Sequence, residues 1–330
     1  MTKVSIIGAG AWGTALALVA HRAGNQTKIW SPFAEEIDDV QKNHAHKLLP
    51  NCPIPQDIEL TTDLKTAADA DVFLFVTPAQ VFRSAAMNLK PFLKTNAHSI
   101  VICSKGIEIG SSLLLSEVLK EVIPSISPSV LAGPNFAHEV AQNLPAAATL
   151  ANSEESQAQM LATTLSHQNY RIYPATDVIG VELASSVKNV LAIASGLVTG
   201  AGLGENARAA LISRGLIELA RLGLRLGCRV ETFLGMAGVG DILLTCSSTT
   251  SRNMSLGFAL GQGKSMAELQ KEGLPLTEGV HTVRALTSLA EKHQIQMPIC
   301  ESVHKILYAG STIQEEMGLL LSRPLRLEGV

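Results

Sequence analysis

The chain has 330 residues, 46% of them hydrophobic and 17% charged, and a net charge of -3. That is enough apolar material for two packed domains and excludes a disordered chain. It leaves no basic excess to displace counterions from a nucleic acid or to hold an anionic membrane surface, so neither partner is expected.

Read in chain order, short β-rich runs at 4–7, 27–30, 72–76, 99–103, 129–131, 146–150 and 170–173 alternate with helical patterns. Most runs are apolar on both faces, as strands are when helices cover both sides of a parallel sheet. The fold class expected for 1–177 is therefore α/β, a doubly wound sheet. After Pro174 the β pattern stops, and helices are expected at 177–196, 206–226, 279–293 and 298–308. Ser265-Met-Ala-Glu268 fits a capping box, Pro298 a first-turn proline and Gly310 a helix stop. Residues 178–330 read as an all-helical second domain.

No uncharged run reaches the roughly 18 apolar residues of a membrane span, and no signal-peptide layout precedes the first strand. The five cysteines, Cys52, Cys103, Cys228, Cys246 and Cys300, match no disulfide or metal pattern. They read as free thiols in a reducing cytoplasm. His44-Ala-His46 has no third ligand nearby, so no metal is expected.

Gly8-Ala9-Gly10-Ala11-Trp12-Gly13 carries the first chemistry. It follows a strand, opens a helix and is followed by a second strand, the context in which this glycine pattern binds a dinucleotide pyrophosphate. The helix N-terminus offers free N–H groups and a positive dipole end. NAD sites place an acid about 20 residues further on. Here that stretch reads Ile29-Trp30-Ser31-Pro32-Phe33, with no carboxylate until Glu35 and no arginine for a 2′-phosphate. Ser31 suits either form, so NAD against NADP stays open.

Polar residues follow other strands: Thr77-Pro78, Ser104-Lys105-Gly106 and Gly133-Pro134-Asn135. Lys105 suits an anion or a developing alkoxide, or it is an ordinary solvated lysine. Lys188 and Asn189 sit within a nearly apolar helix. Partial desolvation there lowers a lysine's pKa into the range of acid–base catalysis, unless the side chain snorkels to an edge. Gly238-Val-Gly240-Asp241, Thr245 and Ser251-Arg252-Asn253 form the last cluster. Asp241 can pair with Lys188, and Arg252 offers a planar fork for phosphate or carboxylate. The plainer alternative is a loop with a surface ion pair.

These motifs occur together, in order, with Glu182-Leu-Ala-Ser-Ser-Val-Lys-Asn-Val190 and Thr277-Glu-Gly-Val280. From about residue 3 to 325 the chain resembles bacterial NAD(P)-dependent glycerol-3-phosphate dehydrogenase. The resemblance implies a Rossmann-type N-terminal domain and a helical C-terminal one. It implies reversible reduction of dihydroxyacetone phosphate to sn-glycerol 3-phosphate with NAD or NADP, feeding glycerophospholipid synthesis. It makes Lys188 the general acid/base and puts Lys105 on both substrate and cofactor. Gly133, Asn135, Asp241, Ser251, Arg252 and Asn253 would line the substrate. Gly8, Gly10, Gly13, Ala11, Trp12, Ser31, Pro32, Ala137, Arg252, Leu276 and Glu278 would meet the cofactor. Asn189 and Thr245 would orient the lysine or polarise the carbonyl. Asn135 departs from the family's Ser or Thr, and the family's basic residue near Pro32 is missing. A homodimer is the default assembly. Two other readings fit parts of the pattern: another two-domain dehydrogenase, acting on a β-hydroxyacid, and a non-catalytic dinucleotide sensor.

Overall fold

The computed structural model describes residues 1–93, 98–273, 277–325 and 327. The chain divides into two compact units, Met1–Ser104 with Leu115–Val178, and Lys105–Leu114 with Ile179–Val330.

The first unit is built on one sheet of eight strands: β1 Lys3–Ile7, β2 Gln26–Trp30, β3 Glu59–Thr61, β4 Val72–Phe75, β5 Ser99–Ile102, β6 Pro128–Ala132, β7 Ala146–Asn152 and β8 Tyr170–Ala175. Their order is β3-β2-β1-β4-β5-β6-β7-β8. All neighbours pair parallel except β6 with β7. Every residue of β4 and β6 is buried, as the two-sided apolar runs predict. β3 is the strand the sequence hides. It has three residues, Glu-Leu-Thr, at the sheet edge, too short and too polar for a period to register.

Helix α1 (Ala11–Arg22) buries Gly13 through Ala20 in the core with Ile6, Leu74 and Val101. Helix α2 (Ala34–Asn43) turns Ile37 and Val40 inward. β1 lies between β2 and β4, so the strand order reverses there. In open α/β sheets a ligand crevice forms at such a point, outside the carboxyl ends of the strands.

The second unit is helical, with one correction to the expected boundary. Lys105–Leu114 follows β5 in sequence but packs with the later helices. Ile107 and Leu114 are buried in that unit's core, and Ser186 Oγ donates to the Gly106 carbonyl at 3.2 Å. The helix Val178–Gly200 runs four residues past the end expected at 196. It is long and apolar enough to cross a membrane, which the sequence reading did not anticipate, but 89% of its most apolar window is buried within the fold. Residues 230–261, to which the sequence assigns no element, with a loop as the plainer alternative over 238–253, are largely helical: Val230–Leu234, a π-turn at Met236–Gly240, Asp241–Cys246 and Arg252–Gly261. The capping box at Ser265 and Glu268 is present.

Two features lock this unit. Val178–Gly200 and Arg252–Gly261 cross backbone to backbone. A Cβ on Gly196 would lie 2.2 Å from the Met254 carbonyl oxygen, one on Gly257 2.1 Å from that of Ile193, and one on Gly200 2.1 Å from that of Phe258. Elsewhere, Glu218 of the helix Glu205–Arg225 accepts the Ile299 and Cys300 N–H groups at 2.8 and 3.3 Å. It thereby caps the helix Pro298–Tyr308 from a distance.

Candidate active site

Three glycines shape the turn after β1, each for a different reason. Gly8 has φ +123°, and a Cβ there would lie 3.0 Å from the Val76 carbonyl oxygen. A Cβ on Gly13 would lie 2.0 Å from the Gly8 oxygen, so helix and strand could not approach. Around Gly10 nothing lies within 4 Å of a Cβ position. The fold does not need glycine there; a ligand approaching the backbone does. Gly10 caps α1 without a side chain, and no acid occupies the first turn, so the N–H groups of Ala11, Trp12 and Gly13 are offered to an anion. Trp12 Nε1 and Thr77 Oγ1 are buried without a hydrogen-bond partner. An open glycine face with unused donors fits the phosphates of a dinucleotide.

At the far end of α1, Arg22 donates to the carbonyls of Val140 and Ala141 at 3.0 and 2.6 Å, tying down the short helix that Ala137 opens. Gly133 is fixed by packing: a Cβ there would lie 2.8 Å from Ala148 Cα. Asn135 Nδ2 donates to the Ala147 carbonyl at 2.9 Å, and its Oδ1 is buried without a partner. Pro32 is exposed, but Ser31 is buried and already engaged. Its hydroxyl donates to Glu36 Oε2 at 2.6 Å and accepts the Phe33 N–H at 3.2 Å. A carboxylate does therefore stand at the end of β2, one that sequence spacing missed because it comes from α2.

In the second unit, four predicted residues converge. Asp241 is fully buried at the start of Asp241–Cys246. Lys188 Nζ donates to Asp241 Oδ1 and, at 3.1 Å, to Thr245 Oγ1. Thr245 in turn donates to the same Asp241 oxygen at 3.2 Å. Lys105 Nζ donates to Asp241 Oδ2 at 3.2 Å. Asp241 and Thr245 share a helix face because they lie one turn apart. The Lys188 pKa is lowered from its usual value to about 7, first by burial and also by the neighbouring Lys105, with Asp241 opposing both. Lys188 is 5% exposed and does not snorkel. Such an amine both gives and takes a proton near neutrality. Ser186, which sequence reading did not single out, fastens the Lys105 loop to the Lys188 helix through Gly106.

The remaining predicted residues divide. Asn253 Nδ2 donates to Asn189 Oδ1 at 3.0 Å, and Asn253 Oδ1 accepts the Gly279 N–H at 3.0 Å. These amides join three helices. Ser251 Oγ caps its helix by accepting the Met254 N–H at 3.3 Å. Arg252, next to it, is exposed. Glu278 opens the helix Glu278–Lys292 beside Thr277, whose hydroxyl is buried without a partner. Leu276 lies outside the described residues.

A dinucleotide-binding sheet, carried with a buried lysine poised for proton transfer, defines an NAD(P)-dependent dehydrogenase. Family models of the NAD-dependent glycerol-3-phosphate dehydrogenase N-terminus and C-terminus match residues 3–158 and 177–318, and the chain belongs to that family. Among curated relatives, the glycerol-3-phosphate dehydrogenase [NAD(P)+] of Parvibaculum lavamentivorans is 46% identical over 99% of this chain and 98% of its own. That of Rhodospirillum rubrum is 44% identical over 99% and 94%. The crystal structure of glycerol-3-phosphate dehydrogenase from Coxiella burnetii superposes with a TM-score of 0.93 at 39% identity, covering 98% of this chain and 99% of that one.

Proposed function

We propose that this chain interconverts dihydroxyacetone phosphate and sn-glycerol 3-phosphate with NAD or NADP as redox partner. The observation that carries the reading is the buried Lys188–Asp241–Lys105 cluster. Reducing a ketone requires a proton at the carbonyl oxygen as hydride reaches its carbon. Lys188 gives that proton and takes it back in the reverse direction. Asp241 and Thr245 hold its Nζ in one orientation, and the charge of Lys105 favours the developing alkoxide. A nicotinamide, when bound, would supply or accept the hydride.

Both units contribute to both ligands. In the first, Gly8, Gly10 and Gly13 shape the pyrophosphate cradle, the N–H groups of Ala11 and Trp12 fill it, and Ser31, Pro32 and Ala137 flank it. In the second, Arg252 binds the substrate phosphate with the Ser251 hydroxyl, and Asn189 and Asn253 brace the Lys188 helix. Gly133 and Asn135 meet the substrate, and Glu278 and Leu276 the cofactor. Binding energy at a phosphate remote from the reacting carbon orients the ketone.

The reading extends to a cytoplasmic homodimer, not inserted in a membrane, that supplies glycerophospholipid synthesis. Five free, buried cysteines favour a reducing compartment. Leu224, Leu234 and Leu243 of the second unit are exposed apolar side chains that a second copy would cover.

The test is oxidation of NADH and NADPH with dihydroxyacetone phosphate, dihydroxyacetone and a 3-keto acid as substrates. Turnover confined to the phosphorylated ketone is expected. Turnover of the keto acid alone would reassign the enzyme to β-hydroxyacids, and cofactor binding with no turnover at all would make it a sensor.

A further inference from the structure

We propose that Glu36, positioned by Ser31, makes this chain discriminate in favour of the unphosphorylated adenosine ribose, and so of NAD over NADP. The inference rests on the reading of the first unit as the dinucleotide site. Ser31 directly follows β2, where dinucleotide folds present a carboxylate to the ribose hydroxyls. Here a serine stands in that place and borrows its carboxylate from α2. The hydroxyl proton of Ser31 is committed to Glu36 Oε2 at 2.6 Å. Its remaining acceptor capacity takes the Phe33 N–H. The pair therefore presents acceptors and no donor. Ribose hydroxyls can donate to acceptors; a 2′-phosphate dianion cannot, and it meets a carboxylate instead.

Among the described residues no cation is ion-paired with Glu36. The loop Ser31-Pro32-Phe33 carries no base. Lys28 of β2 is ion-paired with Glu59 at 3.1 Å. His46, within electrostatic reach of Glu36, is held below its usual pKa by burial and stays neutral. Glu36 itself is exposed, which leaves its second carboxylate oxygen accessible to a ligand.

The test is calorimetric binding of ADP-ribose, 2′-phospho-ADP-ribose, NADH and NADPH to the intact protein, so that the readout does not depend on turnover. Unphosphorylated ligands are expected to bind at least about tenfold tighter, the scale of one unfavourable charge contact. Glu36→Gln removes the charge and should shrink that ratio several-fold with Tm unchanged. Ser31→Ala, which releases Glu36, should shrink it in part. Equal binding of the two classes to the unaltered protein, or an unchanged ratio in a folded Glu36→Gln, would overturn the proposal while leaving the dinucleotide site standing. Failure of all four ligands to bind would remove that site and the proposal together.

Discussion

Lys188 and Asp241, 53 positions apart in sequence, form a buried ion pair in which the carboxylate is also held by Lys105 through its other oxygen. The lysine's proton affinity is thus set by an anion and a cation that can be removed one at a time. Lys105→Met deletes a charge that lowers the Lys188 pKa, so that pKa should rise. Asp241→Asn deletes the charge that raises it, so it should fall further below about 7. Ketone reduction needs the protonated amine, and kcat/KM in that direction should decline as pH rises through about 7. Alcohol oxidation should rise over the same interval. The two variants should move both limbs in opposite senses along the pH axis. Lys188→Met should lose about 10²–10⁴ in kcat and also lower Tm, because it leaves the buried Asp241 with Lys105 as its remaining cation.

Arg252 is exposed at the first turn of its helix, so replacing it leaves no buried group unsatisfied. Arg252→Ala should keep its Tm and raise KM for dihydroxyacetone phosphate about 10- to 100-fold, the usual worth of a charge-assisted hydrogen-bonded contact. Its kcat at saturating dihydroxyacetone phosphate should change much less, and steady-state kinetics separates KM from kcat.

The glycines after β1 predict opposite phenotypes. Gly13→Ala forces a Cβ to 2.0 Å from a carbonyl oxygen and should destabilise the fold by about 2 kcal/mol or more, read as a lower Tm. Gly10→Ala meets open space and should leave Tm unchanged while weakening NADH binding about tenfold, measured by fluorescence titration.

Much of this was legible in the sequence because it is local. A strand, a glycine turn and a helix within Lys3–Arg22 declare themselves by spacing alone. Lys188 was legible as an anomaly, with Glu182 one of two charges in an apolar helix. What stayed hidden depends on distance or on masking by charge. The Lys105 loop belongs to the second unit through Ser186 and Gly106, a contact spanning 80 positions. Glu36 reads as one acid among several on a surface helix, and nothing local shows that it bonds Ser31. The helices around Asp241 are short and glycine-rich, so their period does not register.

Glu218 supplies a test of stability rather than catalysis. Burial raises its pKa from 4.5 to about 7, against the two N–H groups it accepts. A carboxyl group whose folded pKa exceeds its unfolded one stabilises most fully below the unfolded pKa, and that contribution is lost as pH rises through the folded one. Between pH 4.5 and 7 the loss should be about 3 kcal/mol. Urea unfolding at pH 5 and pH 7 should show it, and Glu218→Gln should flatten the difference.

The crossing of Val178–Gly200 with Arg252–Gly261 leaves no side chain to repack, because main chain meets main chain. Lys188 lies about two turns before Gly196, and Arg252 about one turn before Gly257. The backbone spacing between the two helices that carry Lys188 and Arg252 is therefore set by glycines rather than by the volumes of neighbouring residues. Core residues elsewhere in this unit can drift in size while that spacing holds still. On the proposed reading, in which Lys188 and Arg252 serve the two ends of the substrate, a design that seeks a longer or shorter substrate has to begin by resetting this crossing.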